Sequence, residues 1–499
     1  MTTITKGLFK ASFYRHLIFF LPFGILHGSP CDLTGDGQVT MDDVYLAANQ
    51  AVGTDACDTA DLDRNGVCDE TDVEHLLNVS MGQECPVPTP VDGGVSIEAA
   101  GITTVAALAI SGASVTSYGA KCDGYTADNY AIQKAFTDVK NWTNKTLTFP
   151  AGKTCIVKKG LKLTSASGWT IEGQGAKIKA ANGMCLDGCG PLFMLYGVDQ
   201  FAINNLTLDG NRAYRTPAEK SGGHNFQILR GTNGTFRNVS SINSTTDNAR
   251  IGATNSSLTS TFSRNLTFID SKFSNAYRNN VSVIEGWNIR FQGLCTGGVT
   301  GTCTCQMTGA NGTAPQAGLD WEPNSGSASP AIDNGLVDGC LIADNRGTGH
   351  QTHSTGGGRN ITVRNSINRN NGGSSGARGG FAVDAMGELI ENNWIGKQAG
   401  YRFAVIYISA GKKSNTRTTQ VKNNFIHGLP PIGTSTGRRQ VVLFGNYTDG
   451  TASFNNNKMT SIGIAPNGDW CADWRGMHGP DTYTNTVDGT MQSPSPKCP

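Results

Sequence analysis

Charge is scarce in this chain of 499 residues: Asp, Glu, Lys and Arg make up 16% of it. Long apolar helical patterns are also rare, which argues against a helical bundle. No glycine-rich phosphate loop occurs, so nothing points to nucleotide binding. The strongest apolar run, Leu17 to Leu26, is too short to cross a bilayer comfortably. Tryptophan is sparse at 7, which leaves few aromatic platforms for binding sugars without chemistry. What is abundant is Gly, at 64, together with dense Asn, Ser and Thr. That composition suits a turn-rich β architecture. The length suits one elongated domain plus a small one.

Net charge is +1, but it is unevenly spread. Residues 31–85 hold ten Asp and three Glu against Arg64 alone, a balance of −12. Residues 1–30 carry Lys6, Lys10 and Arg15, or +3, which leaves 36 basic and 26 acidic residues, or +10, for 86–499. A basic body fits a polyanionic partner. The 14 Cys are an even number, as expected of disulfides in a secreted chain. Basic residues followed by an apolar run mark 1–30 as a secretion signal.

Residues 31–85 carry a duplicated motif. In the first copy oxygen-bearing side chains fall at Asp32, Thr34, Asp36, Thr40 and Asp43, with Gln38 offering its carbonyl and Gly37 at the sharp turn. The second copy places Asp61, Asp63, Asn65, Asp69 and Asp72 in the same register, with Val67 offering its carbonyl after Gly66. This is the spacing a hard cation such as Ca²⁺ needs, and two copies predict two ions. Each loop runs into a short amphipathic stretch, Val44 to Val52 and Val73 to Met81, as a following helix should. The duplicated loop-plus-helix, with Asp at the last ligand position, resembles a dockerin, a small α-helical module of EF-hand type. The resemblance implies docking onto a cohesin-type scaffold protein. The usual contact positions read Met41-Asp42 and Glu70-Thr71 here. The Pro-rich, then Gly-rich run from Cys85 to Gly94 marks a linker, placed at 86–96, before a second domain spanning 97–499.

The second domain opens on Tyr118-Gly-Ala-Lys-Cys-Asp-Gly-Tyr-Thr-Ala-Asp128, followed by a helix with Ile132, Ala135, Phe136 and Val139 on one stripe. Asp128 is the expected cap. Leu147-Thr-Phe-Pro-Ala-Gly152 and Val157 to Leu163 come next. This run resembles the opening segment of the pectate-lyase-like superfamily, in the branch of rhamnogalacturonases, related glycosidases and phage tailspikes. The resemblance implies a right-handed parallel β-helix, an all-β solenoid, whose end is covered by that helix. Repeats at irregular spacing follow. One column reads Asn225-Phe-Gln-Ile, Asn248-Ala-Arg-Ile, Asn280-Val-Ser-Val, Gly318-Leu-Asp-Trp, His350-Gln-Thr-His, Phe381-Ala-Val-Asp and Val405-Ile-Tyr-Ile. Asn-rich corners suit left-handed turns and can stack as hydrogen-bonded ladders. The tail, about 466–499, breaks the pattern and reads as a closing cap.

The stretch Gly318-Leu-Asp-Trp-Glu-Pro323 stands apart from the blander repeats. Alternation along a strand sends Asp320 and Glu322 to one face and Leu319 and Trp321 to the other. On this reading Gln227, Arg250, Ser282, Asp320, Thr352, Asp384 and Tyr407 share an outward column. Asp320, Glu322, Asp384 and His350 are the candidate catalytic groups. Arg250, Arg278, Glu285, His353, Tyr407 and Arg402 are the candidate substrate contacts. Paired carboxylates predict acid/base hydrolysis of glycosidic bonds in a polysaccharide, with the basic body favouring an acidic one. The competing chemistry is β-elimination from a uronic acid chain. It needs a base such as His350, His353 or Tyr407, and a cation: Arg250, Arg278, or a further Ca²⁺ held by Asp320 and Glu322. The Asn-Thr-Asp, Asp-Asp and Gly-His-Gly set of polygalacturonases is absent as a set, with Thr246-Asp247-Asn248 and Gly349-His350-Gln351 as partial echoes. A non-catalytic glycan-binding or cell-surface protein is the reading from outside enzymology.

Overall fold

The computed structural model describes residues 112–399 apart from 142–144, 185–189, 216–222, 354–356 and 374–378, with parts of 405–492 and scattered residues of 31–85. The chain forms two compact units, Met1–Thr103 and Thr104–Pro499.

In the larger unit each coil gives one strand to each of three parallel ladders. Thr232–Arg237, Ser240–Ile242 and Ala249–Gly252 make one coil; Ser263–Ile269, Lys272–Ser274 and Val281–Val283 stack on it in register. The result is a parallel β-helix. Two of its faces join into one large sheet, and the third is an 11-stranded sheet running from Leu161–Thr164 to Trp470–Trp474. The column read from sequence is the 11-stranded face; the face carrying Ser240–Ile242 and Lys272–Ser274 was not read.

The interior is apolar and stacked. Phe236, Phe268 and Phe291 lie one above another, with centroids 4.3 and 4.9 Å apart. Asn residues form internal ladders: Asn248 donates to Asn280 at 2.8 Å, Asn280 to Asn345 at 2.9 Å and Asn345 to Asn371 at 2.9 Å, all fully buried. A second set sits in left-handed corners, where Asn265, Asn288 and Asn334 have φ of 52°, 56° and 57° and pass hydrogen bonds from coil to coil. The bonds of the internal ladder satisfy buried amides that would otherwise be orphaned.

Helix Asn129–Asp138 covers the first coils with Ala131, Ile132, Ala135 and Phe136 buried, and Phe136 stacks on Phe193 at 5.0 Å. Asp128 does not cap it. Its carboxylate accepts from the Lys121 and Cys122 amides at 2.6 and 3.1 Å, pinning the loop that the Cys122–Cys155 disulfide also holds. Cys303 and Cys305 form separate disulfides, to Cys295 and Cys340. The tail differs from expectation: Trp470–Trp474 and Thr482–Val487 continue the parallel ladders, and Thr490–Gln492 folds back antiparallel.

In the smaller unit, residues 43, 44, 46, 47 and 50 and residues 72, 73, 76 and 79 are helical. Cys31 is bonded to Cys85, and Val44, Ala47, Leu62, Val73 and Leu76 form its core. Four disulfides among the described residues fit an oxidising, extracellular setting. No helix among the described residues is long and apolar enough to cross a membrane.

Trp321 is fully buried and meets Phe291 edge-on, and a Cβ on Gly335 would lie 2.6 Å from its ring. Gly335→Ala is therefore expected to lower stability by about 1–3 kcal/mol through overpacking. Chemical denaturation of the two proteins checks this, and equal midpoints would refute it.

Candidate functional site

The register of the third sheet sets which side chains share a row. Ser282 pairs with Asp320, Asp320 with Gln351, Gln351 with Ala382 and Ala382 with Tyr407. Thr352 aligns instead with Trp321 and faces inward. Asp384 follows Val383, in register with His353 and Glu322 one position past their strands. The column read from sequence was one residue out at Thr352 and two at Asp384. A slip of one residue exchanges the faces of a strand. The groove thus carries two outward rows. One has Arg250, Ser282, Asp320 and Tyr407; the other has Glu322, His353 and Asp384.

His350 is a correction. It aligns with Leu319 and Phe381, is fully buried, and its Nε2 lies 2.8 Å from Glu388 Oε1 inside the coil. It does not reach the groove. Glu285 is a second correction, being 2% exposed: it accepts from Ser327 Oγ at 2.6 Å and from the Ala253 amide at 3.2 Å, and so ties two loops together. Arg402 lies outside the described residues, as do Thr34, Asp36, Gln38, Thr40, Asp61, Asp63, Asn65, Val67 and Asp69 and the dockerin contact positions.

Asp320 is 0% exposed, so it cannot itself touch a polymer. Its Oδ2 accepts from Asn279 Nδ2 at 3.0 Å, and its Oδ1 faces His353 Nε2 at 3.2 Å. It stands against His353, whose side chain is 42% exposed. The close contact with the Asp320 carboxylate raises the His353 pKa, against the effect of burial, and the charges of Glu322 and Asp384 add to the rise. The imidazole is thereby held toward its protonated form.

Glu322 is 33% exposed and ion-paired with Arg278 Nη2. Burial and the neighbouring Asp320 charge raise its pKa, and Arg278 opposes them only in part. Two like charges placed close together disfavour ionisation of one of them. Arg278 Nη1 also lies 3.3 Å from Asp247 Oδ2, and Asp247 accepts from the Asn279 amide at 3.0 Å. Asp247 belongs to this network although sequence reasoning marked it only as part of a motif echo; its place at the turn just before the strand start Asn248 was the available signal. His224 Nδ1 stands 3.4 Å behind Asp247. Burial lowers the His224 pKa to about 4, outweighing the Asp247 charge. Arg250 makes no hydrogen bond or ion pair among the described residues, and its guanidinium stands beside Gly252 on the groove.

No protein-family model matches this chain. No curated protein matches it either. Solved structures align with parts of it. The mannuronan C-5 epimerase AlgE6 A-module of Azotobacter vinelandii is 19% identical, with TM-score 0.44, over 78% of this chain and 100% of its own. The Agl-KA catalytic domain is 16% identical, with TM-score 0.46, over 70% of this chain and 58% of its own. PfbA, a surface adhesin of Streptococcus pneumoniae, is 16% identical, with TM-score 0.39, over 70% and 84%. Likeness at this level transfers no residue role.

His224 generates a test. A histidine whose folded pKa sits near 4 stays neutral in the fold while the unfolded chain takes up a proton below about 6.5. Stability is therefore lost as pH falls from about 6.5 to 4, by on the order of 3 kcal/mol. His224→Gln should flatten that part of the stability–pH curve in thermal unfolding at stepped pH. An unchanged slope would show that His224 is not the group responsible.

Proposed function

We propose that this chain is a secreted polysaccharide-cleaving enzyme that works by acid/base hydrolysis in the groove of the third sheet. The observation that carries the reading is the outward row Glu322–His353–Asp384. Glu322 and Asp384 are two coils apart, roughly 10 Å between backbones at the usual strand spacing. Side chains narrow that gap to the range in which one carboxyl protonates the leaving oxygen while the other activates water. Glu322, with its raised pKa, is suited to be the acid. Asp384 is the partner base. His353, backed by buried Asp320, supplies positive charge between them. Arg250, unengaged by the protein, favours an acidic chain.

Elimination is less well supported. Its base must be neutral at working pH, and Asp320 favours the protonated form of His353. Tyr407 stands on the Asp320 row, three coils away from it.

Product analysis on a panel of acidic and neutral polysaccharides tests the reaction type. New reducing ends without ultraviolet absorbance from a C4–C5 double bond are expected. Both signals together would replace hydrolysis by elimination, and binding without either would favour a glycan-binding protein. Glu322→Gln should lower kcat by about 10²–10⁴-fold and remove the alkaline limb of the pH profile. Asp320→Asn should move that limb to lower pH, because the charge that raises Glu322 is gone.

For the smaller unit we propose Ca²⁺ bound by the two loops. Asp43 and Asp72, the last ligand position of each loop, are fully buried, and Asp72 Oδ1 accepts from the Leu62 amide at 2.7 Å within its own loop. A buried carboxylate closing a loop onto the start of a helix fits a cation site. A chelator should lower the unfolding temperature of this unit and added Ca²⁺ should restore it; insensitivity to both would exclude a structural ion. A cohesin-type partner is the corresponding docking proposal.

A further inference from the structure

Lysine is unevenly placed in the larger unit. Residues 112–180, the first coils, carry ten Lys, no Arg and four acidic residues. That is +6 over 69 residues, as much as the 26 basic and 20 acidic residues of 181–499 provide together. Of the four acids, Asp128 is buried, with its carboxylate turned onto the Lys121 and Cys122 amides. Glu172 lies on another face, where it accepts from the Gln174 amide and from Asn205.

Five of the lysines gather on one face. It is built from Asp123–Ala127, Thr154–Val157 and Lys177–Ala180, stacked in parallel, and it is not the face that carries Asp320. Lys177 and Lys179 stand on its outer side, in register with Thr154 and Ile156. Lys153 precedes the middle strand, and Lys158 and Lys159 follow it. At about 3.3 Å per residue along a strand and about 4.8 Å between strands, the five stems lie within about 20 Å of one another. Lys177 is 3.9 Å from Asp209. Lys153, Lys158 and Lys159 are exposed and form no ion pair among the described residues.

Two tyrosines border these lysines. The five residues Asp123–Ala127 are set against only three of the next strand, so the edge strand bulges. The bulge presents Tyr125, which is 90% exposed. Asp123 holds its shape: Oδ1 accepts from the Tyr125 and Thr126 amides at 2.9 and 2.7 Å, and Oδ2 from the Thr126 hydroxyl at 2.7 Å. Tyr130 is 80% exposed on the first turn of helix Asn129–Asp138. Its neighbour Asn129 accepts from the Lys158 amide at 3.4 Å, which sets that turn beside Lys158 and Lys159. Rings this exposed add little to packing, and each offers a flat apolar face with a polar tip.

Lysines without an arginine fork among them meet an anion as mobile point charges. Such a patch is complementary to a polymer of repeated negative charge, and the adjoining rings suit the apolar faces of sugars. We propose that Tyr125, Tyr130, Lys153, Lys158, Lys159 and Lys179 form a docking surface, separate from the groove, that holds the protein on an acidic polysaccharide. The surface does not rest on the reaction assigned to the groove: it anchors the chain whether the groove hydrolyses, eliminates or only binds.

The test uses the full chain carrying Arg250→Gln, which takes the groove guanidinium out of the measurement. It is run in affinity gels containing pectate, alginate, chondroitin sulfate or a neutral β-glucan. Retardation in at least one acidic gel and none in the glucan is expected. Adding Lys153→Gln, Lys158→Gln and Lys159→Gln should weaken that retardation about tenfold and flatten its salt dependence. Adding Tyr125→Ala and Tyr130→Ala instead should weaken it about threefold with the salt dependence kept. Arg230→Gln, Arg237→Gln and Arg290→Gln, an equal loss of charge away from this face, should leave it unchanged. Circular dichroism confirms the fold of each variant. Absence of retardation in every acidic gel overturns the surface. So does retardation that the lysine changes leave intact, or that the arginine changes weaken equally. Binding to duplex DNA or to phosphatidylglycerol vesicles that matches the acidic gels and ignores the tyrosine changes would mean unselective capture of anions, and also overturns the assignment. Retardation lost with the lysines, from a chain that cleaves nothing, upholds the surface and counts only against the hydrolytic reading of the groove.

Discussion

Everything in the larger unit depends on the coils stacking in strict parallel register. Each residue then sits over its counterpart in the next coil at the strand spacing of about 4.8 Å. That constraint turns a one-dimensional repeat into rows. Apolar residues make aromatic stacks, Asn residues make amide ladders, and outward residues make lines along the groove. The buried ladder through Asn248, Asn280, Asn345 and Asn371 is what polices the register. Each amide donates to the Asn of a later coil, so a slipped coil would leave several buried polar groups unpaired at once.

The groove chemistry follows from that stacking. Glu322, His353 and Asp384 come from three separate repeats with no shared motif. Asp320 and Asn279 sit beneath them as a buried polar layer, and Asn279 touches both Asp247 and Asp320. A carboxylate shielded from water, aimed at an exposed imidazole, is a way to set a protonation state without touching substrate. The buried His350–Glu388 pair does related work from within the coil. Thr352 Oγ donates to Glu388 and accepts from the amides of Asp384 and Ala385, which fixes the turn that presents Asp384.

Much of this was legible in the sequence. The helix stripe of Ile132, Ala135 and Phe136, the Asn corners, the inward Trp321 and the outward Asp320 all follow from local pattern and alternation. The distinctiveness of Gly318-Leu-Asp-Trp-Glu-Pro323 led to the coil on which the proposed site is built. What was not legible is where neighbouring repeats begin. His350-Gln-Thr-His reads equally well in two registers, and only the pairing of Leu319 with His350 decides between them.

The sequence by itself determined that the main unit is a stacked β architecture, because alternation, Asn corners and short strands are local properties of the chain. It also determined the paired loop spacing of the smaller unit. The tertiary structure decided which carboxylates face the groove and which are sealed behind it. It joined Asp247 to Arg278, turned His350 inward, and exchanged Asp320 for Glu322 as the exposed partner of Asp384. The physical reason is that burial and pKa are set by neighbours in adjacent coils, some thirty to forty residues away along the chain, as in the ion pairs Arg278–Asp247 and His353–Asp320.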